Sequence, residues 1–204
     1  AIFDVGTVKW YDTVTKDSLL HTGANFLTPE LTVDTSYWVQ AGNIAAGEKT
    51  VGDGTYTTSG NWEFLYSLYE GYKHQYIFTV DELTDAGISA GNISALKFAV
   101  VSTGVYNPRL NFSIAMGSTT QNVATTTQIA NSNLTQVYSN ASQPLTTGIM
   151  TFTFTTPYVW DGLSNIIVQV ASDNGAWSSP YGELRGHDAL ATRTSVLYGD
   201  NQGI

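Results

Sequence analysis

The chain has 204 residues, no cysteine and a formal net charge of −9, and only 12% of its residues are charged. An acidic chain repels nucleic-acid phosphates, so no nucleic-acid partner is expected. The apolar segment of residues 166–170, interrupted only by Gln169, is far shorter than the roughly 20 residues that a membrane-spanning helix needs. No insertion into a membrane is therefore predicted.

The residue usage favours strands over helices. Thr, Ser and Asn account for 58 residues and Tyr for 12, whereas Lys and Arg together account for 8. Hydroxyl-bearing and aromatic residues are typical of strands and exposed loops. The composition therefore predicts an all-β protein. The absence of cysteine fits a cytosolic protein and a bacterial surface protein equally well, so it leaves the compartment open.

The first 41 residues form a predicted β unit. Apolar and polar residues alternate in residues 7–11 and 36–41, as they do in a strand with one buried face. Residues 19–20 and 25–27 are interpreted as two short strands, joined by a turn at residues 21–24.

A glycine-rich segment follows this unit. Residues 42–54 contain four glycines and few apolar side chains, as inter-domain joints often do. We place a domain boundary near Ala45, between a module of residues 1–44 and a module of residues 45–204.

The second module reads as an antiparallel β-sandwich of the jelly-roll kind, because short apolar runs recur with turn residues between them. These runs are residues 75–80, 95–102, 110–116, 134–138, 149–155, 165–171 and 192–198. Residues 81–87 are the one predicted helical turn, with acidic residues at the start and a glycine at the end.

The sequence carries no recognisable catalytic signature. The three histidines, His21, His74 and His187, lie in separate segments, and no nucleophile-elbow or phosphate-binding glycine motif occurs. The acidic residues 81–85 lack the dense spacing of a calcium loop. We therefore expect no catalytic residue, no metal site and no cofactor.

Aromatic residues are the candidates for ligand binding. Six of them crowd residues 62–76, where alternate positions favour a role in the sandwich core. Trp177 and Tyr181 lie instead in a stretch rich in Ser and Gly that reads as a loop. Exposed rings stack against sugars or partner proteins, so Trp177 and Tyr181 are the predicted ligand-binding residues.

Two parts of the chain resemble a known group of proteins. Val8-Lys9-Trp10-Tyr11-Asp12, Phe26-Leu27-Thr28-Pro29-Glu30-Leu31 and Thr35-Ser36-Tyr37-Trp38-Val39 resemble the second half of Ig-like modules in secreted Bacteroidetes surface proteins. The later part, notably Thr156-Pro157-Tyr158-Val159-Trp160-Asp161-Gly162, is similar to a β-sandwich module of secreted and gliding-associated adhesin-like proteins. The expected fold is thus a partial Ig-like module followed by a jelly-roll-like antiparallel β-sandwich.

The resemblance implies export, by the type IX route, to the cell surface or the extracellular space, and it implies no reaction. It also places Thr13 and Ser18 in the Asp-Ser/Thr-aliphatic pattern of bacterial O-glycosylation, as Asp12-Thr13-Val14 and Asp17-Ser18-Leu19. Chance alone explains such triplets in a chain this rich in Thr and Ser. The two residues are modification candidates through the resemblance only.

Three functions are compatible with this sequence. The first is a non-catalytic adhesion or display module that binds a glycan or a protein surface through loops and exposed aromatic rings. The second is a subunit of an extracellular filament, because few residues precede Trp10 and the first module lacks part of a sheet; neighbouring modules or copies of the chain would then donate strands. The third is an accessory binding domain of a secreted hydrolase.

Overall fold

The computed structural model is nearly all-β, with antiparallel sheets, 49% strand and 5% helix. The predicted all-β class is therefore confirmed. The described residues are 7–12, 18–22, 26–42, 47–58, 63–187 and 191–200. The predicted boundary near Ala45 falls outside them and stays a prediction.

A three-stranded antiparallel sheet occupies the start of the chain. Its strands are β1 (Thr7–Tyr11), β2 (Leu19–Thr22) and β3 (Trp38–Gly42), in the order β2-β1-β3. The predicted strand of residues 7–11 is confirmed as β1.

The segment between β1 and β3 differs from the prediction. His21 and Thr22 continue β2 rather than forming a turn, because they pair with Trp10 and Lys9 of β1. Phe26 and Leu27 are not in a strand, and Asn25 lies outside the described residues. The ring of Phe26 packs against that of Trp10 with their centroids 5.5 Å apart, so ring packing rather than strand pairing holds Phe26 on the sheet.

Two further antiparallel sheets form a sandwich. The five-stranded sheet has the order β12-β5-β10-β7-β8 and the four-stranded sheet has the order β4-β11-β6-β9. Their strands are β4 (Tyr56–Thr58), β5 (Gly71–Phe78), β6 (Gly91–Ser102), β7 (Arg109–Thr119), β8 (Thr135–Gln143), β9 (Gly148–Trp160), β10 (Asn165–Asp173), β11 (Glu183–Gly186) and β12 (Thr194–Gly199). Sequence reasoning found seven of these strands and missed β4 and β11, which have only three and four residues.

The core lies between these two sheets. Alternate residues of β7 and β9 enter it, and Phe112 stacks on Phe152 with a centroid distance of 5.2 Å. Fully burying such a side chain stabilises the fold by roughly 1.5–3 kcal/mol. The core therefore fixes the positions of the loops that connect the strands.

The central strand β10 is buried on both faces, and a strap of residues 121–134 covers the outer one. The Gln75 amide donates to the Ile129 carbonyl at 2.7 Å and accepts from the Ile129 N–H at 2.9 Å. It also donates to Gln169 Oε1 at 2.8 Å. These bonds satisfy the polar groups of the covered face, as burial requires.

The predicted helical turn is confirmed as α1 (Val80–Asp85). Thr79 and Glu82 form a reciprocal capping box, which satisfies two backbone N–H groups at the helix start. Glu82 also pairs with Arg193 at 3.1 Å. Partial burial raises the pKa of Glu82, but hydrogen bonds from Thr79 and the charge of Arg193 outweigh it, so the net pKa lies below its usual value.

Glu82→Gln should make the stability of the protein less dependent on acid pH. Gln keeps the capping hydrogen bond but loses the charge that Arg193 stabilises. A carboxyl whose pKa is lowered on folding adds stability above its unfolded pKa and loses it as pH falls through the folded pKa. The variant should therefore unfold more easily at neutral pH and approach the native chain as pH falls below about 4.5.

Urea unfolding at a series of pH values measures this difference. Glu30→Gln, at an exposed loop position, is the control. A Glu82→Gln deficit that stays constant down to acid pH would contradict the expectation.

Candidate binding site

Three loops meet at one end of the sandwich: residues 63–70 before β5, residues 103–108 between β6 and β7, and residues 174–182 between β10 and β11. Backbone hydrogen bonds join them. Gly182 N–H donates to Leu65 O at 3.1 Å, and Val105 N–H donates to Pro180 O at 3.0 Å. The loops therefore form one connected surface.

A buried arginine supports this surface from below. Arg109 is 0% exposed, and its guanidinium donates to the carbonyls of Leu65 and Tyr66. It also lies over the ring of Tyr106, 5.8 Å from the centroid. Burial lowers the pKa of Arg109 to about 10, so the side chain stays charged at neutral pH. A permanent cation thus holds a loop that contains no helix or strand.

Glu63 anchors the same loop on its other side. Its side chain is buried and accepts a hydrogen bond from Leu184 N–H of β11 at 2.7 Å. Burial of both signs of charge in one region lowers the cost of burying either. Glu63 and Arg109 together tie residues 63–66 to both sheets.

Four tyrosines form what we call the aromatic platform: Tyr66, Tyr69, Tyr181 and Tyr198. Ring centroids are 4.7 Å apart for Tyr66 and Tyr181 and also 4.7 Å apart for Tyr69 and Tyr198. Buried Tyr72 contacts three of the four rings from the sandwich interior. Burial and the neighbouring phenols raise the pKa of Tyr66, so its hydroxyl remains protonated.

Trp177 lies on the loop next to this platform and is 65% exposed. The residue after it is fixed: Ser178 N–H donates to Ser67 O at 2.7 Å, and the Ser67 hydroxyl donates to Ser178 O at 3.1 Å. An exposed ring on a fixed loop loses little conformational freedom on binding.

An open groove of about 310 Å³ adjoins the loop of Trp177. Val105, whose N–H binds Pro180, lines it and is 57% exposed. Its other lining residues are Tyr106, Asn107, Pro108 and Leu110. The groove extends the apolar surface beyond the platform.

The two predicted ligand-binding residues, Trp177 and Tyr181, thus lie on one loop, with Trp177 exposed and Tyr181 half-buried against Tyr66. Their role in binding stays a prediction. Of the aromatic residues in 62–76, Phe64 and Tyr72 are buried as expected, whereas Tyr66 and Tyr69 belong to the platform. Trp62 lies outside the described residues.

Sequence reasoning missed Arg109. The alternation of Phe112, Ile114 and Met116 places even-numbered residues inside, so position 109 should point outwards. Asn111 adopts a left-handed conformation with φ of 48°, and the buried positions of β7 change phase there. The sequence feature that could have indicated this change of phase is Asn111, which stands directly before the apolar run.

Of the two candidates for O-glycosylation, the structure describes only Ser18. The Ser18 hydroxyl donates to Asp12 Oδ2 at 2.9 Å near the surface. Thr13 lies outside the described residues, and modification of both remains a prediction.

The described residues contain no group of three His, Asp or Glu side chains arranged to hold a metal ion. They also contain no helix long and apolar enough to cross a membrane.

The fold defines an antiparallel β-sandwich module preceded by a small three-stranded sheet. Residues 4–55, about a quarter of the chain, match the family described as Ig-like domain, CHU_C associated, a domain of Bacteroidetes-type surface proteins. No curated protein and no solved structure matches the chain. The Ig-like match and the all-β fold suggest a non-catalytic module.

Arg109→Met should lower the free energy of unfolding by about 2–5 kcal/mol, because it removes the buried charged donor of the Leu65 and Tyr66 carbonyls. Arg185→Met, at an exposed position of β11, should change it by less than about 0.5 kcal/mol. Urea denaturation of both variants measures the difference. Equal stabilities would show that Arg109 does not support the loops.

Proposed function

We propose that this chain is a non-catalytic adhesion or display module of a bacterial protein at the cell surface or in the extracellular space. It binds through the end of the sandwich that carries the aromatic platform and Trp177. The observation that carries the proposal is a 65% exposed tryptophan on a loop that is fixed by hydrogen bonds.

The energetics of the rings support a binding role. An exposed Trp side chain keeps a large apolar area in water, and covering it with a ligand is favourable. The hydrogen bonds of Ser178 and the support of Arg109 hold the loops in place before any ligand arrives. A preformed surface binds more tightly, because little ordering remains to be done.

The family match supports the proposed location. Ig-like domains of the matched family belong to surface proteins of the Bacteroidetes type, which fits export by the type IX route. A glycan or a protein surface is then the accessible ligand, and neighbouring modules are further contacts.

Trp177→Ala combined with Tyr181→Ala should weaken ligand binding at least about tenfold, the loss of 1.4 kcal/mol of ring contact. The native chain is first tested on an array of neutral glycans, acidic glycans, basic peptides and acidic peptides. Leu163→Ala is the matched control, because Leu163 is 83% exposed and precedes β10 at the opposite end.

Trp177→Ala alone keeps this experiment informative if loss of the half-buried Tyr181 ring lowers stability. The proposal fails if the native chain binds nothing on the array, or if both variants bind as tightly as the native chain does.

A second candidate function is a filament subunit that assembles by strand donation. The three-stranded sheet favours it, because the outer edges of β2 and β3 have no strand partner among the described residues. Leu19 and Val39 of these strands are 53% and 48% exposed. Unpaired edges with apolar side chains accept a further strand readily.

Light scattering over a concentration series, with electron microscopy of the same samples, separates the two functions. Strand donation predicts a mass that grows with concentration, and it predicts that Val39→Lys abolishes this growth because a charge protects an edge strand. A monomer at every concentration rules the filament out and leaves the adhesion module.

A further inference from the structure

The segment that leads from β3 into β4 lies against the sandwich. We call its described part, residues 47–55, the tether, and it contains no helix or strand. Val51 packs against the sandwich core, and Glu48 forms an ion pair with Lys97 of β6. The first half of the tether is therefore attached by one apolar and one charged contact.

His187, which directly follows β11, holds the second half of the tether. Gly52 has a φ of +85°, and a Cβ at this position would lie 2.5 Å from the Cβ of His187. A glycine is therefore needed where the His187 side chain packs on the tether backbone. At the next residue, His187 Nδ1 lies 3.2 Å from Asp53 Oδ1. His187 thus touches two successive residues of the tether.

Asp53 is held in position for this contact. Its Oδ1 also accepts hydrogen bonds from the Thr55 N–H at 3.1 Å and from the Thr55 hydroxyl at 2.9 Å. Hydrogen bonds from the Thr55 backbone, the Thr55 side chain and His187 lower the pKa of Asp53 to about 2. The carboxylate therefore keeps its negative charge in mild acid and at neutral pH, and of the two partners only the histidine changes its charge there.

The other charged groups around His187 have different partners or positions. The titratable or charged residues of β11 and of the two strands paired with it are Glu183, Arg185, Tyr56 and Lys97. Lys97 is paired with Glu48, and Lys49 of the tether lies against the turn that follows α1. Among the described residues, the group within ion-pair distance of His187 is Asp53.

A contact between histidine and a carboxylate depends on pH. A histidine side chain changes its charge between about pH 5 and pH 8, and only the protonated ring attracts a carboxylate as an ion pair. Deprotonation removes this attraction, so the contact is strongest in mild acid and weakens as pH rises past neutrality. Because both side chains are about half exposed, the effect is that of a surface ion pair.

We propose that His187 is a pH-sensitive latch: in its protonated form it holds the tether on the sandwich, and loss of the proton shifts the tether towards release. Release lengthens the connection between the two parts of the chain. The path from Gly42, the end of β3, to Gly47 spans at most about 18 Å, whereas the path from Gly42 to Tyr56 of β4 spans up to about 50 Å. The latch therefore sets how far the three-stranded sheet can stand from the sandwich, and it goes beyond the proposed function because it requires no ligand.

Limited proteolysis after Lys49 tests the latch. At low trypsin concentration, cleavage of an ordered segment follows the population of its opened form. The chain is digested between about pH 5.5 and about pH 8.5, across the range in which histidine titrates, and a synthetic peptide of residues 45–54 is digested in the same tube. Mass spectrometry quantifies the products that begin at Thr50, and the ratio of chain cleavage to peptide cleavage removes the pH dependence of trypsin itself.

We expect this ratio to rise about threefold from the lowest to the highest pH, as the loss of a surface ion pair implies. His187→Gln and Asp53→Asn should abolish the rise and give the high-pH ratio throughout, because Gln does not titrate and Asn keeps the Thr55 contacts without the charge. His21→Gln is the matched control. His21 is an exposed histidine of β2 that packs against Phe26, and this variant should respond to pH as the native chain does.

Three results overturn the proposal. A cleavage ratio that does not change with pH shows that no latch operates. A rise with pH that persists in His187→Gln assigns the pH dependence to another group. Cleavage of the native chain as fast as that of the peptide at every pH shows that the tether is not held on the sandwich.

Discussion

The end of the sandwich that carries the rings depends on one buried cation. Residues 63–66 belong to no helix or strand, so their carbonyls need donors from other parts of the fold. Arg109, which is 0% exposed, donates to the carbonyls of Leu65 and Tyr66, and Gly182 N–H donates to that of Leu65 as well. A lysine carries its three N–H donors on a single nitrogen and lacks the planar fork with which Arg109 spans two successive carbonyls. The path of the loop, and with it the position of Tyr66, follows from this side chain.

The opposite end of the sandwich is held by different means. There the capping box of α1, the Glu82–Arg193 pair and the strap over β10 close the fold with polar side-chain contacts. Of the three exposed aromatic residues that the structure describes, Trp177 and Tyr198 lie at the Arg109 end, and Tyr56 lies on β4. A rigid scaffold with variable loops at one end is a common arrangement for binding proteins.

The sequence predicted those structural elements that neighbouring residues determine. Long strands with clean alternation and the helical turn of α1 were found, because each is encoded within a few neighbouring residues. The strands β4 and β11 were missed because three or four residues are too few to show a period. Trp177 and Tyr181 could be selected from the composition of their loop. The packing of Tyr181 against Tyr66 and of Tyr198 against Tyr69 depends on which strands pair, and strand order is set by residues far apart in the sequence.

The sheet faces offer less to a ligand than the loops do. The strap covers the outer face of the five-stranded sheet and uses the amides of Gln75 and Gln169 to do so. The outer face of the four-stranded sheet carries small or hydroxyl-bearing residues such as Ala95 and Thr151, and the Lys97–Glu48 pair crosses it. Single exposed apolar residues on such a face are ordinary features of soluble proteins. Trp177 is the most exposed aromatic residue that the structure describes, and it lies on the loop end together with Tyr198, so that end is the surface on which recognition can evolve.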